Sequence, residues 1–285
     1  MTARHPLRFG LVVGQREAWP RLVARAQQTE VLGFDVAWVV DHFFGGSDEM
    51  DHTHEAYTVL AGLAPATERI RLGVMVCGNT YRNPVFLLKQ AVTVDHISNG
   101  RVDFGIGAGW WEREHEAYGY DFPAPGELVG RFGEALDAIH SFQRNERTDF
   151  EGKYYRYVNT PFEPKSVQSN GLPIVIGASG PRMMRITAQH ADIWNTRSPI
   201  DEAVRKSRLL DEKCNEIGRD PVEIQRSVWP GPSYLTSVDA FSEYVETFMN
   251  EGFTDFLFGW PRDDAEHEVL QRVAADVIPQ LRGAS

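Results

Sequence analysis

A regular alternation of short apolar runs with longer helical segments is the feature that most constrains the fold of this chain. The apolar runs have the length of buried strands, and the segments between them carry apolar residues at the three- and four-residue spacing of an amphipathic helix. Eight such strand–helix pairs follow one another. The predicted strands are Leu7–Val13, Phe34–Val40, Ile70–Val76, Val102–Ile106, Pro173–Ile176, Asp192–Asn195, Ile224–Val228 and Phe256–Phe258.

The predicted helices are Trp19–Leu32, Glu55–Thr67, Pro84–Ser98, Leu128–Arg144, Pro181–His190, Glu202–Ile217, Val238–Asn250 and Ala265–Leu281. Eight units of this size in 285 residues are typical of a parallel (β/α)8 barrel, the TIM barrel, and we expect one such domain over residues 1–285. The alternative is a doubly wound open sheet. Gly100 is expected to cap the helix that ends at Ser98.

An insertion over residues 145–172 interrupts the alternation between the fourth and fifth strands. Thr148 to Tyr157 has the pattern of a β-hairpin with Glu151-Gly152 as its turn. An insertion of this length predicts a lid or a packing arm on the barrel and not a second domain.

Composition argues against several classes of function. The formal net charge of −11 disfavours nucleic-acid binding, which normally needs a basic surface. No run of about 18 apolar residues is present, so no membrane-spanning segment is predicted. Cys77 and Cys214 lie far apart and predict neither a disulfide nor a zinc site. The N-terminus lacks the apolar stretch of a signal peptide, and we therefore expect a cytoplasmic protein.

Small residues follow several predicted strands at their C-terminal ends, where a TIM barrel holds its active site. Glycine there lets a flat or anionic ligand approach the backbone, because no Cβ stands in the way. We expect one small-molecule site lined by Asp41-His42, Val76-Cys77-Gly78-Asn79, Gly107-Ala108-Gly109 and Gly177-Ala178-Ser179-Gly180-Pro181.

The segment from Gly177 to Pro181 joins the fifth strand to a helix that begins with proline. Successive N–H groups in such a turn can point in one direction, and a helix N-terminus attracts anions. We interpret this segment as a phosphate site. An ordinary structural turn capped by Ser179 is the alternative.

His42 directly follows Asp41 at the end of the second strand. Imidazole exchanges a proton near neutral pH, which makes His42 the candidate catalytic residue. The alternative is a structural histidine held by hydrogen bonds. Arg82, after the third strand, is expected either to hold an anion or to pair with an acid.

For two further clusters of polar residues we predict no catalytic or binding role. Asp51-His52-Thr53-His54 contains metal-ligand residue types, but no second cluster lies at a suitable spacing, and we expect no metal site. A short helix after Trp111 is predicted to place Glu112, Glu114, His115 and Glu116 on its exposed face, although Glu114 or His115 can also turn inward.

Taken together, these residues resemble the luciferase-like monooxygenases, a family of flavin and deazaflavin enzymes on a (β/α)8 barrel. The likeness extends from the first strand to the eighth. The segments that carry it are Asp41-His42-Phe43, Ile70-Arg71-Leu72-Gly73, Tyr81-Arg82-Asn83-Pro84, Gly107-Ala108-Gly109-Trp110, Glu114-His115, Ala117-Tyr118-Gly119, Pro173 to Gly180 and Ala191-Asp192-Ile193-Trp194-Asn195.

Within this family the chain looks most similar to the branch that uses coenzyme F420, an 8-hydroxy-5-deazaflavin. The resemblance implies a hydride passed between C5 of F420 and a substrate carbon, with His42 as the proton-transfer residue. It also implies a non-proline cis peptide around Met75-Val76 that backs the ring. The implied cofactor-binding residues are Asp41, Met75, Val76, Cys77, Asn79, Gly107, Ala108, Gly109, Gly177, Ala178, Ser179, Gly180 and Pro181.

One departure from that branch bears on the substrate. Its glucose-6-phosphate dehydrogenases carry an acidic residue where this chain has Trp110, so a sugar phosphate is disfavoured. Aromatic residues at the strand ends favour a small, largely apolar substrate instead: Phe43, Phe44, Trp110, Trp111, Trp229 and Trp260.

Two other functions stay open. The first is a two-component monooxygenase that uses reduced FMN and O2 on an alkanal or alkanesulfonate, and that requires a separate reductase. The second is a flavin-carrying barrel without catalysis. The family resemblance also implies a homodimer.

Overall fold

The computed structural model describes residues 5–45, 49–230 and 234–284, and these contain a closed parallel barrel surrounded by helices. The strands in chain order are β1 (Arg8–Val12), β2 (Val36–Val39), β3 (Arg71–Val74), β4 (Cys77–Gly78), β5 (Val102–Gly107), β6 (Arg147–Glu151), β7 (Arg156–Pro161), β8 (Ile174–Gly177), β9 (Ile193–Thr196), β10 (Gln225–Val228) and β11 (Asp255–Gly259).

The helices lie between the strands, as the sequence predicts. They are α1 (Trp19–Val31), α2 (Ala56–Leu63), α3 (Pro84–Ser98), α4 (Glu112–Tyr118), α5 (Pro125–Arg144), α6 (Pro181–His190), α7 (Ile200–Glu216), α8 (Val238–Asn250), α9 (Asp264–Arg272) and α10 (Ile278–Ala284). In the described part of the chain, no helix combines the length and the apolar character that crossing a bilayer requires.

The barrel closes through the pairing of β3 with β5, which aligns Leu72 with Val102. The remaining neighbours follow chain order, and β11 returns to pair in parallel with β1. The (β/α)8 prediction is therefore confirmed, and the doubly wound alternative is wrong because such a sheet keeps two open edges. The short strand β4 lies just beyond the predicted third strand and pairs with the end of β5.

Local sequence signals account for most helix ends. Asn83 caps α3, its side chain accepting from the N–H groups of Val85 and Phe86 ahead of a first-turn proline. The predicted cap at Gly100 is corrected by one residue. Asn99 is the C-cap, with a left-handed φ of 56°, and Gly100 follows it with a φ of 85°. Asparagine tolerates this conformation better than most residues with a side chain.

Trp38 fills the interior of the barrel. Its side chain is fully buried, and its ring lies against Gly10 and Gly73 on the two neighbouring strands. A Cβ on Gly10 would come within 2.6 Å of the indole nitrogen. The indole can occupy the barrel only because both neighbours lack side chains, and no ligand space remains at this level.

The insertion between β5 and β8 is a hairpin that packs on α5. Its strands β6 and β7 are antiparallel, with Glu151 opposite Arg156. The turn therefore covers residues 152–155 and not the predicted Glu151-Gly152. The Glu134 carboxylate on α5 determines this turn, because it accepts hydrogen bonds from the successive N–H groups of Lys153, Tyr154 and Tyr155. Of the two predicted roles, packing arm is the one observed.

We predict that Gly73→Ala lowers the free energy of unfolding by about 1–3 kcal/mol, because its methyl group would overlap the Trp38 ring and a packed interior gives way only at a cost. Urea unfolding followed by tryptophan fluorescence measures this change. Gly283→Ala is the control, since a methyl group meets nothing within 4 Å there. Equal stability of the two variants would show that the ring can move aside.

Candidate active site

A cavity of about 1130 Å³ lies at the C-terminal ends of the strands, on the barrel face opposite to the strand N-termini. It is lined by residues at the ends of seven strands, by one residue of the loop after β1, and by the starts of three helices. Among the predicted residues, the lining includes Asp41, His42, Met75, Val76, Cys77, Gly107, Ala108, Gly109, Gly177, Ala178 and Ser179. The structure thus brings most of the predicted segments to one place.

Three of the predicted cofactor-binding residues lie outside this lining: Asn79, Gly180 and Pro181. Gly180 and Pro181 begin α6 one step beyond Ser179. Asn79 differs more, because its side chain turns away from the cavity and its amide Nδ2 donates to the Tyr155 hydroxyl at 3.0 Å. In this structure Asn79 contacts the hairpin, a contact of which the sequence alone gave no sign, and its contact with a bound ring stays a prediction.

Val76 lies at the floor of the cavity against the glycines of two neighbouring strands. The Met75–Val76 peptide bond is cis, as the family resemblance implied. A Cβ on Gly107 would stand 2.9 Å from Val76 Cγ2, and one on Gly177 would stand 3.5 Å away. Glycine at 107 is therefore needed for this close approach, and the same absence of a side chain leaves a flat surface above the floor.

Glu114 is the centre of the polar network beside the cavity. Its side chain is fully buried, and Oε2 lies 2.9 Å from Nδ1 of His42. The Tyr81 hydroxyl donates to the same oxygen at 2.7 Å, and the backbone N–H of Phe43 donates to Oε1 at 2.7 Å. Three donors from two loops thus converge on one carboxylate.

This network determines which nitrogen of His42 carries a proton. Burial by itself raises the pKa of Glu114, but the hydrogen bonds from His42 and Tyr81 outweigh it and hold the pKa below its usual range. An ionised carboxylate only accepts, so Nδ1 of His42 carries the hydrogen. Among the described residues none hydrogen-bonds to Nε2, and the imidazole belongs to the cavity lining with 22% of its side chain exposed.

The prediction that Glu114 and His115 lie on the exposed face of a short helix is wrong. Both are fully buried, whereas Glu112 and Glu116 are exposed as predicted. Nε2 of His115 lies 2.6 Å from the Thr80 hydroxyl, so this ring fastens α4 to the loop after β4. One face of α4 therefore packs inward. A helix of seven residues is too short for its apolar periodicity to reveal this from the sequence.

Asp41 connects the end of β2 with the loop after β3. Both of its carboxylate oxygens bind the Arg82 guanidinium, at 2.7 and 2.8 Å, and one also accepts the N–H of Gly78 at 3.0 Å. Arg82 additionally binds Glu55. Of the two roles predicted for Arg82, pairing with an acid is the one observed. Asp41 borders the cavity, but both oxygens of its carboxylate bind Arg82 or Gly78 and so hold the segment that follows β3.

Aromatic rings cover His42 from the side of α4. Trp110 and Trp111 stack on each other with ring centroids 5.5 Å apart, and both meet the imidazole edge-on. Trp110 is 71% exposed and borders the cavity. Phe43 does not line the cavity as predicted, because it packs against Tyr118 behind the site. His42 thus lies between aromatic rings on one side and the Glu114 carboxylate at Nδ1.

The loop after β8 is fixed from below by Trp194, whose indole nitrogen donates to the Ala178 carbonyl at 3.0 Å. The alternative role of Ser179 as a helix cap is not observed: Gly180 is the N-cap, with no side-chain hydrogen bond. The first turn of α6 faces the cavity through Met183. A helix N-terminus in this position is suited to an anion.

The outer part of the cavity carries charges that the sequence analysis did not single out. Arg16, Arg197, Glu202 and Lys206 line it. The Arg197 guanidinium lies over the Trp229 ring at 4.4 Å, and Lys206 binds both Glu202 and the Ser198 hydroxyl. Arg16 and Arg197 lie in strand-to-helix loops, and Glu202 and Lys206 lie near the start of α7. None of them belongs to a motif, which is why no sequence pattern pointed to them.

The comparisons with known proteins agree with this geometry. The family model for luciferase-like monooxygenases matches residues 5–277. A phthiodiolone/phenolphthiodiolone dimycocerosates ketoreductase from Mycobacterium bovis is 30% identical, over 96% of this chain and 79% of the relative. An F420-dependent glucose-6-phosphate dehydrogenase from Microbacterium testaceum is 26% identical, over 97% of this chain and 98% of the relative.

Among solved structures, an F420-dependent secondary alcohol dehydrogenase in complex with an F420-acetone adduct superposes with a TM-score of 0.84. The superposition covers 96% of this chain and 99% of the other, at 16% sequence identity. At this level of identity the likeness concerns the fold.

We predict that Glu114→Gln lowers the free energy of unfolding by about 2–3 kcal/mol at pH 7, because an amide places a donor where three donors converge. The difference in unfolding free energy between the variant and the wild type is fully present above the ordinary pKa of glutamate, about 4.3. It shrinks as the pH falls through the pKa of Glu114 in the folded protein, which is lower.

Urea unfolding between pH 3 and pH 7 provides the measurement, and the exposed Glu116→Gln is the matched control on the same helix. A loss for Glu114→Gln that does not depend on pH would contradict an ionised carboxylate at this position.

Proposed function

This chain belongs to the family of luciferase-like monooxygenases, and we propose that it is an F420-dependent oxidoreductase acting on a small, largely apolar organic substrate. The observation that carries the proposal is the pair of His42 and buried Glu114 beside the cavity: the carboxylate holds Nδ1 of His42, and no described residue hydrogen-bonds to Nε2. The names of the ketoreductase and dehydrogenase relatives support it.

The residues present fit a deazaflavin. The floor formed by Val76 and the neighbouring glycines offers a flat apolar surface, and the cavity is large enough for a tricyclic ring together with a second small molecule. The N-terminus of α6, at Ser179 and Gly180, is suited to the phosphate of the cofactor tail. Cys77 lines the cavity as a neutral thiol, because burial raises its pKa well above the usual value.

His42 gives or takes the proton that accompanies hydride transfer. F420, when bound, would supply the hydride chemistry at its C5. When a carbonyl carbon is reduced, its oxygen takes a proton from protonated Nε2 of His42. When an alcohol is oxidised, neutral Nε2 accepts the hydroxyl proton. In both directions Glu114 holds Nδ1–H and stabilises the positive charge on the ring.

The stacked rings of Trp110 and Trp111 stand beside His42 and favour an apolar substrate. Trp110 occupies the position where the family resemblance implies an acidic residue in the sugar-phosphate dehydrogenases. We propose secondary alcohols and ketones as the first compounds to test. The proposal also includes a homodimer in the cytoplasm, and light scattering of the purified protein measures its oligomeric state.

We predict that the protein binds F420 at least about tenfold more tightly than FMN, a difference of about 1.4 kcal/mol in binding free energy. Isothermal titration with each cofactor in turn measures this. Catalysed hydride transfer should also proceed equally well with and without O2.

The competing function is a two-component monooxygenase that takes reduced FMN from a separate reductase, and the family description favours it. Preferential FMN binding together with substrate-dependent O2 consumption would establish that function in place of ours.

We predict that His42→Asn lowers kcat/KM for hydride transfer by about 10²–10⁴, while the Kd for F420 changes less than about threefold. The asparagine amide can still donate to Glu114, but it cannot transfer a proton. His52→Ala is the control, since this exposed histidine lies outside the cavity lining. Full activity of His42→Asn, with its fold verified by thermal unfolding, would remove His42 from the reaction.

A further inference from the structure

The hairpin insertion touches the cavity floor from behind, at the loop that follows the cis peptide bond. We propose that Tyr155, in the turn of this hairpin, is a positioning residue that fixes the loop from Val76 to Asn79 on which the cofactor ring rests. The inference depends on the proposed function for the identity of the cofactor, although not for the mechanical connection.

Tyr155 is itself held firmly. Glu134 on α5 accepts the N–H of Tyr155 at 3.3 Å, and those of the two preceding residues at 2.7 and 2.9 Å. One carboxylate thus orients three consecutive peptide groups of the turn. The neighbouring Tyr154 ring packs on Gly130 and under the Arg131 guanidinium, both on α5. The hydroxyl of Tyr155 therefore projects from a fixed point on the barrel's outer layer.

Asn79 connects the Tyr155 hydroxyl to the residues that form the floor of the cavity. Its side chain is 4% exposed, and Nδ2 donates to the Tyr155 hydroxyl at 3.0 Å. Its backbone N–H donates to the Gly107 carbonyl at 2.9 Å, which extends the pairing of β4 with β5. Asn79 therefore contacts the hairpin through its side chain and β5 through its backbone.

Residues 76–78, next to these contacts, form part of the cavity floor. Val76 and Cys77 line the cavity, and Gly78 donates its N–H to Asp41 at 3.0 Å. Residues 76–79 are thus held by Asp41 from the end of β2, by the backbone pairing with β5, and by Tyr155 from the insertion. Loss of the Tyr155 hydroxyl leaves the first two contacts and the whole hydrophobic core intact.

Tyr157 offers a matched comparison within the same hairpin. Its hydroxyl contacts Asn83 at the start of α3, at 3.4 Å, and has no contact with the loop of residues 76–79. A tyrosine that serves only to dock the hairpin should behave alike at both positions. The two substitutions Tyr155→Phe and Tyr157→Phe each remove one oxygen atom and leave the ring.

The experiment measures both the loop and the cofactor site. Hydrogen–deuterium exchange of the protein without cofactor should show the Asn79 amide exchanging about three- to tenfold faster in Tyr155→Phe, because one hydrogen bond of ordinary strength is lost, and unchanged in Tyr157→Phe. Isothermal titration should show a Kd for F420 raised about three- to tenfold in Tyr155→Phe only. FMN is titrated in parallel.

The outcomes separate the two proposals. Unchanged exchange at Asn79 in Tyr155→Phe overturns the positioning role, whatever cofactor binds. The positioning role is also overturned if exchange rises but the Kd does not, or if Tyr157→Phe weakens binding equally. A wild type that binds FMN and not F420 overturns the proposed cofactor instead, and the positioning role is then decided by the FMN titrations of the same variants.

Discussion

The carboxylate of Glu114 is the interaction on which the arrangement of the site depends. It is fully buried, and a buried charge is tolerated only when hydrogen bonds compensate its lost hydration. Its donors come from the loop after β2 and from the loop after β4, through His42, Phe43 and Tyr81. One ion therefore joins three segments that are distant in sequence, and it fixes the imidazole whose other nitrogen reaches the cavity.

A second constraint is the space that missing side chains leave. Trp38 fills the lower barrel because Gly10 and Gly73 lie beside it, and the cavity begins above because Gly107 lets Val76 approach β5. Glycine thus has two different effects at two levels of the same barrel. At the lower level it permits tight packing of a large ring, and at the upper level it leaves a flat floor open to a ligand.

Much of the fold was predictable, because each strand and helix carries its own periodicity and the count of eight units nearly determines a barrel. The strand-end segments around His42, Gly107 and Gly177 were predictable for the same reason. Glu114 was assigned to the exposed face, since a helix of two turns gives no reliable periodicity. The contact of Tyr155 with Asn79 joins residues 76 positions apart, and no local pattern encodes such a pairing.

The buried pair of His42 and Glu114 fits hydride transfer better than a role in carrying a flavin. A carrier needs only the floor and an anion site. The His42 pair adds a buried charge that costs desolvation, and evolution of a carrier would gain nothing from it. The proposed role of His42 in proton transfer needs access to solvent between turnovers, and 22% of its side chain is exposed. The rings of Trp110 and Trp111 on one side of the imidazole suit the apolar substrate that we propose.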